Sequence, residues 1–351
     1  MSKYYDFTAK PVTAWLTINR ECNFRCGWCY AKNTGYKLDD KMSLESAMDI
    51  VDIIDDMGVK NIVLTGGEPT MWKDLFELTD YIRTKEINSG LITNAALFGN
   101  DEFWVQYQQH PCDSARISIK GVTQDQMEQI AGVSKLYDQT LRGIERAIAL
   151  HKDVDVGTVY ASLAPTNDIE LMAKVAKKLG AKSFSLSICL PTVSEGDDPS
   201  FEFVSSQAQL SDGLRDLYEY LNDLYNGEII IDQSFPLCYL PSDFVDELLE
   251  KDKLGGLCHV QNRSGLVFNT NGDILLCNTI NDVPIVEQPN YSNGQNLIDC
   301  LNNQELKDSY KEILRYPSKV CSECKYRDIC HGGCLMNWTH LDPDIVCHAI
   351  N

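Results

Sequence analysis

Residues 12–30 read VTAWLTINRECNFRCGWCY, an apolar run followed directly by three cysteines. The run at 12–18 predicts a buried strand that enters a cysteine loop. Cys22, Cys26 and Cys29 lie too close together to form disulfides among themselves. Thiolates at this spacing suit a cubane iron–sulfur cluster, in which one loop holds three irons. Three ligands for four irons leave one iron open to a bidentate small molecule.

Two other interpretations of these thiols stay open: a zinc site, or three unrelated cysteines. A zinc site needs a fourth nearby ligand, and no His or Cys occurs between residues 30 and 60.

Strand-like and helix-like segments alternate on the C-terminal side of this loop. Further strands are predicted at 61–64, 90–93, 115–119, 154–163 and 183–188, with helices at 44–58, 71–86, 137–151 and 167–179. Six strands alternating with helices predict an α/β fold with a parallel sheet and right-handed crossovers, as in a partial (β/α)6 TIM-type barrel. Residues 22–29, 66–69, 93–94 and 118–121 each follow a strand, so we expect them on one rim.

The pattern changes near residue 190. Residues 191–200 (PTVSEGDDPS) predict an acidic linker, followed by a helix at 207–226 and a strand at 228–232. Asn271-Gly272 between two apolar runs predicts a β-hairpin over 265–276, and a helix is expected at 303–315. The expected domains are 1–190 (barrel), 191–250 (bridging region) and 251–351 (a small cysteine-rich domain with a hairpin and a helix).

Charge and hydropathy exclude some partners. The 351-residue chain has 51 acidic and 31 basic residues and a formal net charge of −20, which disfavours nucleic acid and anionic membranes. A basic partner would be favoured, although a plain solvated acidic surface explains the same charge. The N-terminus has no signal-peptide pattern and no run approaches 18 apolar residues, so a cytoplasmic location is expected.

The nonapeptide at 22–30, CNFRCGWCY, resembles the C-x3-C-x-aromatic-C signature of the radical S-adenosylmethionine superfamily, with Trp28 as the aromatic residue. The resemblance implies a [4Fe–4S] cluster on Cys22, Cys26 and Cys29, with S-adenosyl-L-methionine chelating the open iron. It also implies reductive cleavage that yields a radical able to abstract a hydrogen atom from a substrate.

A second motif, Thr65-Gly66-Gly67-Glu68-Pro69, follows the second strand. Two glycines let backbone approach a ligand closely, and Glu68 offers a carboxylate to an ammonium group. By itself such a turn is also typical of an ordinary loop. Beside the cysteine motif it resembles the GGEP element of the superfamily, which contacts the methionine amino group. The resemblance further implies cofactor contacts from Asn94 and Ser118, whereas Lys120 replaces an Asp that is frequent in C-terminally extended members.

Fourteen cysteines in a long chain without an export signal indicate metal or redox chemistry. Seven of them resemble the SPASM domain, which holds one or two auxiliary iron–sulfur clusters: Cys258, Cys277, Cys321, Cys324, Cys330, Cys334 and Cys347. Gly272 fits the same pattern. A zinc ribbon on the four cysteines at 321–334 is the alternative, but zinc leaves the other three unexplained.

The resemblance implies two ligand sets. The outer cluster would take Cys321, Cys324, Cys330 and Cys347, and the inner cluster would take Cys258, Cys277 and Cys334. The inner cluster is then either open at one iron or completed by Cys238. Cys112, Cys189 and Cys300 are expected to be buried thiols, and the histidines next to cysteines (His259, His331 and His348) are expected to be solvated neighbours.

The combination predicts an oxidative radical reaction, because an auxiliary cluster can accept the electron that leaves a substrate radical. The leading hypothesis is a maturase that crosslinks residues of a ribosomally made precursor peptide through a C–C, C–S or C–O bond. Formylglycine formation, as in anaerobic sulfatase maturation, ranks lower because Asn278 stands where those enzymes carry an Asp. A small-molecule dehydrogenase or epimerase ranks third, and an iron–sulfur electron carrier or regulator is the non-enzyme alternative.

Expected partners follow from this hypothesis. Cys22 lies so near the start that no leader-binding domain precedes it, so a separate leader-binding protein, or recognition by the barrel itself, is expected. An electron donor such as flavodoxin or ferredoxin is also expected. No catalytic side chain is assigned from sequence.

Overall fold

The computed structural model describes residues 8–31, 37–191, 202–232, 234–255, 258–280, 283–313, 317 and 320–338. The linker predicted at 191–200 lies outside these residues except for its first residue, and so do Cys347 and His348. Among the described residues, no helix has the length and apolar character needed to cross a membrane.

The described residues form one eleven-stranded sheet. Its strands are β1 Thr13–Asn19, β2 Asn61–Gly66, β3 Asn88–Thr93, β4 Ser114–Ser118, β5 Asp153–Tyr160, β6 Phe184–Ile188, β7 Ile229–Asp232, β8 Leu254–Gly255, β9 Gly265–Phe268, β10 Ile274–Leu275 and β11 Pro284–Val286. Their spatial order is β11-β10-β9-β1-β2-β3-β4-β5-β6-β7-β8. Strands β1 to β8 are parallel, which confirms the predicted α/β partial barrel.

Helices lie between the successive parallel strands β1 to β8, and further helices lie in the C-terminal part of the chain. They are α1 Leu44–Asp56, α2 Leu75–Thr84, α3 Asp101–Tyr107, α4 Gln124–Ala131, α5 Tyr137–Leu150, α6 Thr166–Lys178, α7 Gln207–Leu224, α8 Ser242–Glu250, α9 His259–Asn262, α10 Gly294–Leu301, α11 Gln304–Ile313 and α12 Arg327–Cys330. Short 3-10 turns lie at Pro69–Met71, Ala96–Gly99, Ser134–Leu136, Leu237–Tyr239, Gln288–Asn290, Val320–Glu323 and Leu335–Trp338. Alternate side chains of β1, such as Leu16 and Ile18, are fully buried.

Six helices were missing from the sequence prediction: α3, α4, α8, α9, α10 and α12. Helices α3 and α4 each begin at a side-chain cap: Asn100 accepts a hydrogen bond from the Phe103 amide, and Thr123 accepts one from the Gln126 amide. Polar N-caps of this kind are the usual start signal of a short helix. Helix α2 begins at Leu75 rather than near residue 71, because Pro69 opens a separate 3-10 turn first.

The predicted hairpin is confirmed, but it does not stand apart from the barrel. Strand β9 pairs in parallel with β1, Trp15 lying opposite Val267, and β10 returns antiparallel to β9. Gly272 in the connecting turn has φ +89°, a left-handed conformation that favours glycine. The start of the cysteine-rich region therefore extends the barrel sheet at its β1 edge, next to the first cysteine loop.

Candidate active site and cysteine clusters

The C-terminal ends of β1 to β4 bring the predicted cofactor residues together. The Asn94 side chain lies 4.0 Å from Cys22 Sγ, and its backbone amide donates to Glu68. Lys120 lies over the Trp28 ring, its Nζ 5.5 Å from the ring centroid. The predicted rim is therefore present in the structure, and parallel strands give its physical reason, because their carboxyl ends share one edge.

The three thiols of the first loop lie in a partly buried, mutually repulsive group. Burial and the nearby charge of Glu68 raise the pKa of Cys22 to about 12. Burial also raises the pKa of Cys26, and the positive charge of Lys120 opposes that rise. The charge of Cys29 acts on both thiols, so ionised sulfurs here require a compensating positive group.

Glu68 is held by a full set of donors in the interior, where its side chain is 1% exposed. Its Oε1 accepts from Thr70 Oγ1 at 2.6 Å, Thr93 Oγ1 at 2.7 Å and the Thr70 amide at 3.2 Å. Its Oε2 accepts from the Asn94 amide at 2.8 Å. Burial raises the pKa of Glu68, and these donors oppose the rise by stabilising the carboxylate. Oε2, with a single donor from the protein, is the oxygen that can accept a ligand ammonium.

The two glycines before Glu68 are required by the protein itself. A Cβ at Gly66 would lie 2.3 Å from the Asn19 carbonyl oxygen, and one at Gly67 would lie 2.3 Å from the Glu21 carbonyl oxygen. The amides of Gly67 and Glu68 donate to those same carbonyl groups, at 2.9 and 2.8 Å. The glycines thus join the Glu68 turn directly to the chain that leads into Cys22, a role that the sequence did not suggest.

Asn94 links this turn to the cysteine loop. Its side-chain nitrogen donates to Asn23 Oδ1 at 2.7 Å, and its side-chain oxygen accepts from the Ala96 amide at 2.9 Å. Asn23 lies between Cys22 and Phe24, so one asparagine holds the cysteine loop against both Glu68 and the end of β3.

Ser118 and Lys120 form the opposite side of the rim. Lys120 Nζ donates to Ser118 Oγ at 2.6 Å. Burial raises the pKa of Cys189, which follows β6, to about 12, and the charge of Lys120 opposes that rise. Lys120 therefore lies near Cys26, Trp28 and Cys189. Cys189 was expected only to be a buried thiol. Its position directly after a predicted strand could have placed it on the rim.

A second thiol group consists of Cys258, Cys277 and Cys334. Burial raises the pKa of Cys334 to about 12, and the charges of Cys277 and Cys258 add to the rise, so the three sulfurs lie within electrostatic reach of one another. The Thr279 amide donates to Cys277 Sγ at 3.4 Å.

Tyr30 connects this second group to the first loop, and sequence reasoning gave it no role. Burial raises the pKa of Tyr30 to about 12, with added effects from Cys29 on one side and Cys277 on the other, while a hydrogen bond with Thr65 opposes the rise. The Tyr30 phenol therefore lies within electrostatic reach of both thiol groups. The sequence could have indicated this role only through the position of Tyr30 directly after Cys29.

A third group lies farther along the chain. Cys321, Cys324 and Cys330 line one cavity of about 420 Å³, and Cys334 is not among its lining residues. Cys330 and Cys334 have different thiol neighbours: the charge of Cys324 acts on Cys330, and the charges of Cys277 and Cys258 act on Cys334. Cys238 lines the cavity of the third group.

The remaining cysteines and histidines gave mixed outcomes. Cys112 and Cys189 are buried as expected, but Cys300 is only half-buried and its thiol donates to the Asn290 carbonyl group. The expectation of a solvated His259 was wrong: its ring packs against Trp15 with centroids 5.0 Å apart, because β9 brings the two together.

The donor set fits an iron–sulfur cluster better than an unrelated use of these thiols. Three cysteines converge on a rim that also presents a buried carboxylate and a lysine, and sulfur ligands with backbone amides directed at them are typical of such clusters. The Phe24 amide, for example, donates to Cys22 Sγ at 3.4 Å. Among the described residues, no three His, Cys, Asp or Glu side chains lie close enough together to hold a single metal ion.

Comparisons with known proteins agree with the geometry. Residues 16–179 match the sequence model of the radical SAM superfamily. The Fe-coproporphyrin III synthase of Methanosarcina barkeri is 30% identical over 135 residues, 38% of this chain and 33% of that protein. The chain covers 33% of this synthase and 57% of a probable GTP 3',8-cyclase, so it spans less than two thirds of these first relatives.

Two other curated relatives match almost the whole chain. The AdoMet-dependent heme synthase of Oleidesulfovibrio alaskensis is 24% identical and covers 95% of this chain and 86% of its own length. The mycofactocin maturase MftC of Mycobacterium ulcerans is 25% identical, and the match covers 93% of this chain and 83% of MftC.

Solved structures share the fold at low identity. Streptococcus suis SuiB bound to its precursor peptide SuiA superposes with a TM-score of 0.71 at 18% identity, covering 94% of this chain and 73% of SuiB. The structure of anSMEcpe with bound AdoMet and a peptide superposes with a TM-score of 0.67 at 18% identity. The match covers 92% of this chain and 89% of anSMEcpe.

Proposed function

Because this chain belongs to the radical SAM superfamily, we propose that it is a peptide maturase that forms an oxidative crosslink within a ribosomally made precursor. The superfamily uses a [4Fe–4S] cluster and S-adenosylmethionine, which together supply a radical able to abstract a hydrogen atom from a substrate. In this chain Cys22, Cys26 and Cys29 would hold the cluster, and Gly66–Pro69, Trp28, Asn94 and Ser118 would surround the cofactor.

The observation that carries the proposal is that the Tyr30 side chain lies within electrostatic reach of both Cys29 of the first loop and Cys277 of the second thiol group. A crosslink or dehydrogenation requires one more electron to leave the substrate after hydrogen abstraction. A second redox centre on Cys258, Cys277 and Cys334 would accept that electron. A reaction that returns the hydrogen atom to the substrate needs no such centre.

The residues of the rim then have separate tasks. Glu68, whose Oε1 accepts from Thr70 and whose Oε2 accepts from the Asn94 amide, would bind an ammonium group and fix its orientation. Lys120 donates a hydrogen bond to Ser118, and its positive charge would attract a carboxylate. Trp28 is 7% exposed, and Lys120 lies over its ring.

The substrate class is supported by two kinds of likeness. MftC matches nearly the whole chain in sequence, and SuiB, whose structure holds its precursor peptide, shares the fold over 94% of it. A peptide substrate, a separate leader-binding protein and a flavodoxin or ferredoxin as electron donor are part of this proposal. Formylglycine formation stays lower, because an amide at Asn278 cannot act as a general base.

One alternative has its own support. The heme synthase covers 95% of the chain at an identity close to that of MftC, so a small-molecule substrate with oxidisable side chains is the second candidate. The neighbouring genes can distinguish the two candidates. A reading frame for a peptide of a few dozen residues favours the maturase.

The test is anaerobic reconstitution with iron and sulfide, followed by dithionite, S-adenosylmethionine and the peptide encoded beside the gene. We expect 5′-deoxyadenosine and a peptide that has lost two hydrogen atoms by mass spectrometry. Cys26→Ala abolishes both products, whereas Cys300→Ala, at a half-buried thiol that donates to the Asn290 carbonyl group, retains both. Deoxyadenosine without any peptide product, together with turnover of a porphyrin precursor, would favour the small-molecule alternative.

A further inference from the structure

We infer that Asp232, the last residue of β7, accepts the proton that the substrate loses in the oxidative step. The inference rests on the proposed function and deepens it, because a crosslinking reaction needs a proton acceptor beside the radical centre. Asn278 cannot act as a base, and Glu68 is buried and already engaged by its donors.

The balance of the reaction defines this task. The first C–H bond of the peptide breaks by transfer of a hydrogen atom to the 5′-deoxyadenosyl radical, which becomes 5′-deoxyadenosine. The carbon radical then forms a bond to the partner carbon, sulfur or oxygen atom, whose own bond to hydrogen breaks. The proton of that bond goes to Asp232, and the remaining electron goes to an auxiliary iron–sulfur cluster.

The inner face of the sheet over β4 to β7 is polar and open to solvent. The outer face belongs to the apolar core through Ile117, Val156, Leu186 and Ile231. Residues that alternate with these face the interior of the barrel, and they include Arg116, Asp155, Ser185, Ser187, Ile230 and Asp232. Apolar branched side chains usually fill a barrel interior, but Arg116 is 38% exposed here and Ile230 is 39% exposed. A substrate side chain can therefore enter this interior.

Asp232 lies at the rim end of this face. The described strands β1 to β7 carry three carboxylates, on Asp153, Asp155 and Asp232. Asp153 and Asp155 belong to the first three residues of β5, at its N-terminal end. Asp232 ends β7, and the carboxyl ends of parallel strands form the rim. Of the three carboxylates, only that of Asp232 is at the end of its strand where the cofactor residues gather.

Two donors hold one oxygen of Asp232 and leave the other available. Oδ2 accepts from Arg116 Nη2 at 2.5 Å and from Ser187 Oγ at 2.6 Å. In the part of the chain that the structure describes, Oδ1 accepts no hydrogen bond. The residue paired with Asp232 on β8 is Gly255, which has no side chain to cover the carboxylate. Oδ1 can therefore take a proton while Oδ2 keeps the carboxylate oriented.

Arg116 is the positioning residue for this carboxylate. Its Nε lies 3.2 Å from Asp155 Oδ2, which also accepts from Ser185 Oγ at 2.9 Å. A Cβ at Gly157 would lie 2.1 Å from Ser185 Oγ, so glycine is needed at this point of β5. The guanidinium group is thus held by Asp155 on one side and holds Asp232 on the other. Asp155 shares the arginine but not the rim position, which makes it a matched control.

The experiment uses the full chain, reconstituted anaerobically, with dithionite, S-adenosylmethionine and the peptide encoded beside the gene, in D2O. Asp232→Asn should still form 5′-deoxyadenosine, but crosslinked peptide per deoxyadenosine should fall about a hundredfold, the lower range for a general base. The peptide recovered without a crosslink should carry carbon-bound deuterium, because dithionite reduces the stalled radical and D2O supplies the deuteron. Asp155→Asn should keep the parental ratio.

Asp232→Glu keeps a carboxylate and should form more crosslink than Asp232→Asn. Circular dichroism and iron content check that each variant is folded and loaded. A parental ratio in Asp232→Asn overturns the inference, and so does an equal loss in Asp155→Asn. Loss of deoxyadenosine together with the crosslink in both Asp232 variants indicates a structural role and also overturns it. Absence of a crosslink with the parent protein instead overturns the proposed function, and the inference with it.

Discussion

The backbone amide of Asn94 donates to Glu68 Oε2 at 2.8 Å, while the Asn94 side chain donates to Asn23 of the first cysteine loop at 2.7 Å. One residue at the end of β3 thus fixes the carboxylate proposed to bind the cofactor and the loop proposed to hold iron. Two hydrogen bonds of a single residue therefore join the Glu68 carboxylate to the cysteine loop.

Glu68→Gln should weaken the binding of S-adenosylmethionine to the cluster-loaded protein by about ten- to a hundredfold. The physical reason is loss of a charge-assisted hydrogen bond, about 1.5–3 kcal/mol. Equilibrium dialysis with labelled cofactor measures the effect. Glu21→Gln, an exposed carboxylate in the same loop, is the matched control and should bind as the parent does. Equal affinity of the two variants would contradict the role given to Glu68.

Gly67→Ala should lower both stability and iron loading. Its Cβ would lie 2.3 Å from the Glu21 carbonyl oxygen and 2.4 Å from that of Arg20, so the chain leading into Cys22 must move. Overpacking of this kind costs about 1–3 kcal/mol. Urea denaturation and the iron content of the reconstituted protein measure the two effects.

The control for this change is Gly58→Ala. Gly58 has φ +72° and no atom within 4 Å of an added Cβ, so alanine there costs about 1–2 kcal/mol through backbone strain alone. Iron loading should be unchanged in the control. If Gly67→Ala also loads iron fully, the Glu68 turn does not position the cysteine loop.

Lys120→Met should lower the reduction potential of the radical cluster by tens of millivolts. A nearby positive charge stabilises the reduced, more negative cluster, and its removal therefore makes reduction harder. Redox titration followed by EPR measures the shift. Lys120→Arg keeps the charge and should stay close to the parent, and Lys60→Met removes an exposed lysine at the start of β2 as a control. A shift that is equal in the Met and Arg variants would argue against an electrostatic cause.

The folded protein should lose stability below neutral pH because His151 is buried. Burial lowers the pKa of His151, and its Nε2 lies 3.1 Å from the Tyr107 hydroxyl group. The unfolded chain therefore binds a proton first as the pH falls through about 6.5, and stability falls with it, by at most about 1.4 kcal/mol per pH unit for this group. The contribution is complete above pH 6.5.

Urea denaturation at pH 7.5, 6.5 and 5.5 measures this dependence. Burial also lowers the pKa of His259 and His331, so the comparison with His151→Gln isolates the single group. The variant should lose less stability between pH 7.5 and 5.5 than the parent. Parallel curves for the two proteins would show that His151 does not titrate on unfolding.

The sequence by itself determined the alternation of strands and helices, the rim that gathers Cys22, Glu68, Asn94 and Ser118, and the hairpin at Gly272. These features depend on local periodicity, on turn residues and on the rule that parallel strands end at one edge. The family signature could be identified for the same reason, because its residues are close together in the chain.

Only the tertiary structure determined which residues, distant in sequence, are neighbours in space. It brought β9 against β1, Tyr30 within electrostatic reach of Cys29 and Cys277, and Cys238 to the cavity of Cys321, Cys324 and Cys330, and it left Cys300 half-buried. It also showed that Gly66 and Gly67 are needed for contact with the protein's own backbone. Such neighbours are separated by tens to hundreds of residues, and their contacts arise from the packing of whole elements, which no local pattern records.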